Sequence, residues 1–253
     1  IRDRNKIEHE DIYCMITPGE EAGMLGARNI DWEEVYKHIN PANNTIVLDN
    51  AGKSKYIAYQ APACNNFEIT VHGKKAHAGI EPEKGISSIQ VISEIISKMD
   101  ILRIDELTTA NISYINSDFP TNVVPDKTIC KGELRSHSYE KIQSVLNSYE
   151  SICKEVCEKF DASYDFDYIQ AYPLLRSTDD LQFAKLFQDC YKKIGVDSEL
   201  QVIGGGSDAN FYAEQGFNAI IIGVGMQKVH TTDEYLEVDE MKIAAEVLLE
   251  YLM

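Results

Sequence analysis

Nowhere in this 253-residue sequence does an apolar run approach the length that crosses a bilayer, so no membrane segment and no membrane partner are expected. Positive charge is scarce as well. Lys and Arg number 24 against 41 Asp and Glu, a formal net charge of 24 − 41 = −17. A surface that negative repels a phosphate backbone, and nucleic acid is not expected as a partner. The six cysteines, at 14, 64, 130, 153, 157 and 190, lack any paired spacing. They read as reduced thiols of a cytoplasmic protein. Cys153 and Cys157 are one helical turn apart with no second Cys or His pair nearby, which makes them helix-face residues rather than metal ligands. Internal repeats and low-complexity stretches are missing, and residues 1–10 are charged where a signal peptide would be apolar.

What is present is the composition of a globular protein, 44% hydrophobic and 26% charged, in a chain long enough for two compact units. Residues 11–16 (DIYCMI) read as a buried strand ending in the turn formers Thr17, Pro18 and Gly19, with a helix expected over 20–30. Residues 45–48 (TIVL) are a second apolar strand that runs into Asp49, Asn50, Ala51 and Gly52. From about residue 62 the pattern alternates, Phe67, Ile69 and Val71 against Glu68, Thr70 and His72. A helix follows over 85–99, with Ile86, Ile89, Val91, Ile92, Ile95 and Ile96 as its apolar stripe. Strands near 109–115 and 128–134, a helix over 139–160 and a strand over 162–169 complete the order βαββαβ of a split ferredoxin-like unit. After Pro173 come a helix over 179–193, a strand near 200–203, a glycine-rich turn, a helix over 208–215 and the buried strand 219–222. A final amphipathic helix spans 238–252, with Met241, Ala244, Ala245, Leu248 and Leu252 on its apolar face. The fold class is therefore α/β, a sandwich formed by residues 1–61 and 172–253 and interrupted by an inserted α+β domain over 62–171.

Three places carry candidate chemistry. Glu20 and Glu21 are adjacent carboxylates at a strand-to-helix turn, where one can ligate a metal while the other directs a water at a carbonyl. Alone, such a pair is the ordinary acidic start of a helix. Asp49 offers another oxygen ligand, though Asp before Asn and Gly is also a turn former. His230 sits in a loop between a buried strand and the last helix. The three occur in one chain order with the turn Gly204 to Asp208 between them.

The motifs TPGEEAGMLGA, VLDNAG, GKKAHAGIEPEKG, TNVVPD, GELRS, GGGSDAN and VHTTDEY, in that order along the whole chain, resemble the peptidase T branch of the aminoacylase and glutamate carboxypeptidase superfamily of zinc hydrolases. The resemblance implies a zinc-exopeptidase sandwich with a ferredoxin-like lid and dimerisation domain, short peptides as substrate, and a homodimer formed through the lid. It implies two zinc ions per active site, with Glu20 as general base, Glu21 and His230 on one zinc and Asp49 on the other. In the lid, His77 resembles a histidine that reaches the neighbouring subunit's site, and Asn122 and Arg135 resemble residues that hold the substrate; a guanidinium fork suits a peptide carboxylate.

The family also carries, upstream of its Glu-Glu motif, a His-x-Asp strand end and an aspartate that bridges the metals, and residues 1–11 resemble neither. The expectation is a piece of a longer enzyme, impaired in metal binding because catalytic zinc takes three protein ligands. Two other outcomes stay open: a carboxypeptidase or deacylase of the same superfamily, and a non-catalytic dimerising or binding module.

Overall fold

The computed structural model describes residues 11–40 and 43–253, and the charged segment 1–10 read above lies outside them. Helices α1 (Leu25–Arg28) and α2 (Trp32–His38) and strands β1 (Asn44–Asn50) and β2 (Tyr56–Ala61) come first. Next are β3 (Ala63–His72), β4 (Ala76–His77), α3 (Ser88–Lys98), β5 (Leu102–Asp105), β6 (Thr108–Asn116), β7 (Val123–Val124), β8 (Lys127–Ser136), α4 (Tyr139–Phe160) and β9 (Ser163–Tyr172). The chain continues through β10 (Leu175–Arg176), α5 (Gln182–Lys193), β11 (Glu199–Val202), α6 (Ala209–Glu214), β12 (Asn218–Gly223), β13 (Met226–Gln227), β14 (Tyr235–Leu236) and α7 (Val238–Tyr251). Ile1–Pro62 and Tyr172–Met253 make one compact unit and Ala63–Ala171 the other.

In the first unit the sheet runs β1-β12-β2-β10, with β11 also on β2. Its centre, β12, is apolar on both faces, as a strand covered by helices on both sides must be. Ile220 and Ile222 point to one side, against Phe183, Phe187 and Tyr191 of α5 and Val247 of α7. Ala219 and Ile221 point to the other, with Ala209 and Tyr212 of α6 and with Phe217. On that side Trp32, at the start of α2, lies 5.3 Å from the Phe217 ring and 6.0 Å edge-on from Tyr212. The period of two along one strand thus sorts α5 and α7 from α2 and α6 and produces the α/β sandwich.

The second unit has the sheet order β5-β6-β8-β3-β9, the ferredoxin-like arrangement of a βαββαβ chain with β5 added at an edge. Phe67, Ile69 and Val71 of β3 and Cys130 and Leu134 of β8 are buried, as are Val91, Ile92 and Ile95 of α3 and Leu146, Tyr149, Cys153 and Val156 of α4. Both helices pack on β3 and β8. Gly132 is required where β8 passes Phe67: a Cβ there would lie 2.4 Å from the ring and 2.3 Å from the Asn111 carbonyl oxygen.

Several local expectations fail for physical reasons. Residues 11–16 form no strand and are exposed, Ile16 at 90%, because no described strand offers them a hydrogen-bonded ladder. Cys14 is accordingly exposed, while the other five cysteines are buried. The helix expected over 20–30 shrinks to α1 because positive φ at Gly23 and Met24 interrupts it. α3 starts later than residue 85, since Ile86 exchanges two backbone hydrogen bonds of 2.9 Å with Lys74 and Ser87 caps the helix instead. On α7 the buried face holds Ala244 and Val247, and Met241 is exposed.

Candidate functional site

Thr17 to Met24 is a stack of turns. The Ala22 and Leu25 amides donate to the Gly19 carbonyl at 3.2 and 3.0 Å, and Gly23 and Met24 donate to that of Glu20 at 3.1 and 2.7 Å. Gly19, at φ 71°, supplies the left-handed step. These bonds hold Glu20 half-buried and turn Glu21 out to solvent.

Asp49 sits near the carboxyl end of β1, and the loop after β12 leaves the same end of the sheet because β1 and β12 are parallel. Ligand sites of open α/β sheets gather beyond such strand ends. Two backbone bonds join the two loops, Gly52 N–H to the Met226 carbonyl at 2.8 Å and Gly225 N–H to that of Gly52 at 3.1 Å. β13 and β14 then pair as a hairpin whose tip carries His230 at φ 65°, its N–H donating to Glu234 Oε2 at 3.2 Å. The imidazole Nε2 comes 3.4 Å from Glu21 Oε1, both groups being exposed.

Asp208, beyond the glycine-rich turn, is buried to 6% exposure and accepts a hydrogen bond from the Thr17 hydroxyl on Oδ2; Oδ1 is buried without a partner. Gly206 has no room for a side chain, because a Cβ would lie 2.6 Å from the Tyr172 ring and 3.0 Å from Met24 Cε. Sequence reasoning quoted this turn but missed Asp208 as a site residue. Its signal was an acidic residue one position beyond a run of three glycines, after Ser207.

The electrostatics show the convergence. Burial pushes the Glu20 carboxyl up to about 7; Asp49, Glu21 and Asp208 add repulsion, and His230 opposes them. Burial likewise lifts Asp49 to about 6, helped by Asp208 and Glu21 and again opposed by His230. Five side chains from four segments therefore share one acidic site.

Carboxylate oxygen and imidazole nitrogen are donor types that zinc takes, and a set of mutually repelling carboxylates, part of it buried, is one a divalent cation would relieve. Among the described residues no three of His, Cys, Asp and Glu form a metal-holding group. Glu21 and His230 make a two-donor pair with Asp49 within electrostatic reach, so the residues fit zinc in kind and would fill only part of its shell.

The other three candidates lie in the second unit. His77 belongs to β4 and is paired with Val123 of β7; it is exposed, and its Nδ1 accepts from the Gly79 N–H at 3.1 Å. Asn122 is beside it, its carbonyl accepting from the Ala78 N–H at 2.9 Å. Arg135 is elsewhere, at the far end of β8, roughly 25 Å away at the usual rise per strand residue. Its guanidinium binds Glu133 through two bonds, Nε to Oε1 at 2.8 Å and Nη2 to Oε2 at 3.1 Å.

Comparison with known proteins gives a consistent picture. Residues 65–161 match the M20 peptidase dimerisation domain. The chain is 36% identical over 243 residues to the uncharacterised protein YqjE of Bacillus subtilis, covering 96% of this chain and 64% of that protein. Among solved structures it superimposes on the aminopeptidase PepT of Bacillus cereus with a TM-score of 0.90 and 32% identity. The tripeptidase of Staphylococcus aureus matches with a TM-score of 0.92 and 28% identity. Each of these two matches covers 99% of this chain and 66% of the other. The chain thus spans about two thirds of the relatives it matches.

Proposed function

We propose that this chain, a peptidase T-like relative of the M20 peptidases, is the greater part of a zinc-dependent exopeptidase that hydrolyses short peptides. The supporting observation is Glu20, a carboxyl raised to about 7 among three others and close to the Glu21 and His230 pair. Near neutrality such a group takes a proton from the attacking water and returns it to the leaving amine. Glu21 and His230 would hold one zinc and Asp49 the other, each completed by donors beyond these three. When bound, zinc supplies the Lewis acidity that polarises a carbonyl and acidifies water.

His77, on the β4–β7 ladder, Asn122, just before β7, and Arg135 are the proposed substrate contacts of the second unit, whose match to a dimerisation domain favours a homodimer. Residues 1–61 and 172–253 form the catalytic domain on this reading and 62–171 the lid. Five buried thiols suit a reducing cytoplasm. Likeness to an aminopeptidase and a tripeptidase favours cleavage from the amino end, ahead of carboxypeptidase or deacylase activity.

The test is peptide hydrolysis by the complete, zinc-loaded protein and its Glu20→Ala variant. Turnover is expected to fall by about 10²- to 10⁴-fold with zinc retained. Unchanged turnover would remove Glu20 from the mechanism. Zinc analysis addresses the non-catalytic alternative, which predicts near-zero metal.

A further inference from the structure

Asp208 occupies the position where an aspartate ordinarily caps its own helix, immediately before α6, yet its side chain makes no capping bond. Its neighbours serve the local donors instead. Ser207 Oγ accepts from the Ala209 N–H at 3.2 Å, and Asn210 Oδ1 accepts from the Ser207 N–H at 3.0 Å. Asn210 is fastened in turn, its Nδ2 donating to the carbonyls of Pro62 at 3.1 Å and Pro173 at 2.7 Å. The Asp208 carboxylate, buried and released from local duty, is directed across the fold to the Thr17 hydroxyl, 191 residues away in sequence. Thr17 opens the stack of turns that carries Glu20 and Glu21, and α1 at the end of that stack packs on α6.

We infer that Asp208 is a positioning residue which, through the Thr17 hydroxyl, pins the Glu20–Glu21 turn to the start of α6 and so sets where the general base stands. Burying a carboxylate is costly unless it is well bonded, and spending one on a threonine hydroxyl rather than on a helix cap makes sense where the turn's place matters. The turn needs such an anchor: Gly19, Gly23 and Met24 all have positive φ, and residues 11–16 before it are in no ladder. This inference rests on the peptidase reading for its kinetic consequence but not for the anchoring itself.

The experiment therefore reads both, in the complete protein. Thr17→Val removes the hydroxyl at constant shape and Asp208→Ala removes the acceptor; Thr17→Ser and Asp208→Asn keep a donor and an acceptor. With zinc loaded, the first two variants and their double mutant should each lose about 10²-fold in kcat with KM little changed, the size expected of a misplaced catalytic group. The double mutant should be no worse than either single one, and the two conservative variants should recover most of the rate. Hydrogen exchange at the amides of residues 19–26 should quicken in Thr17→Val and Asp208→Ala and return towards wild type in the conservative pair. Normal exchange in Thr17→Val, or independent additive effects of the two substitutions, would overturn the anchoring. A wild-type protein without turnover, but with exchange responding as described, would sink the peptidase reading and leave the anchor standing.

Discussion

Glu21 and His230, from opposite ends of the chain, meet at 3.4 Å between Oε1 and Nε2, both side chains exposed. An exposed pair of this kind contributes little to stability in water, and on the proposed reading the two groups serve as donors to one zinc.

Each partner alone should therefore matter to metal more than to folding. Glu21→Ala and His230→Ala are expected to lower zinc affinity by more than about tenfold, measured by competition with a chelating dye, while the melting temperature of the metal-free protein barely moves. Unaltered zinc affinity in both would remove the pair from the site.

The acidic cluster should leave its mark on stability against pH. Glu20 is raised from 4.5 to about 7 and Asp49 from 3.8 to about 6, so the fold favours their protonated forms. That contribution is complete below about pH 4 and is lost as pH rises through 6 and then 7. Metal-free protein should lose melting temperature between pH 5 and pH 8, and the double variant Glu20→Gln with Asp49→Asn should show a flatter profile. Identical slopes in the two proteins would contradict the assignment.

The close passage of β8 over Phe67 makes Gly132→Ala a test of the second unit. A methyl group at 2.4 Å from the ring and 2.3 Å from a carbonyl forces a shift. The expected cost is about 1–3 kcal/mol, read from thermal or urea denaturation.

Thiol chemistry should separate Cys14 from the rest. Cys14 is exposed, whereas burial pushes the thiols of Cys130 and Cys157 up to about 11 and that of Cys153 to about 12. One equivalent should react quickly with an aromatic disulfide reagent and the remaining five only on unfolding, because the thiolate is the reactive form. A second fast equivalent would show that the core opens readily.

The ferredoxin-like unit was legible because its signal is local and periodic: the alternation of Phe67, Ile69 and Val71 and the apolar stripe from Ile86 to Ile96 need only neighbours a few residues away. The glycine-rich turn and the Glu20–Glu21 pair were visible as patterns. Residues 11–16 misled for the same reason, since an apolar run does not say whether a partner strand stands beside it. Strand β2 and helix α2 went unread, because YIAYQA and WEEVYKH carry weak patterns and are held by tertiary packing of Ile57, Ala58 and Trp32. Arg135, read from the resemblance as a substrate contact, also holds Glu133, two residues away on the same face of β8.

By itself, then, the sequence determined the α/β class, the interrupted chain order and the residue types available for chemistry, because these follow from short-range periodicity and composition. Only the tertiary structure decided that Glu20, Glu21, Asp49, Asp208 and His230 share one electrostatic environment. Burial and charge repulsion are properties of distance in space, and residues so far apart along a chain acquire them only when the sheet and its loops have closed.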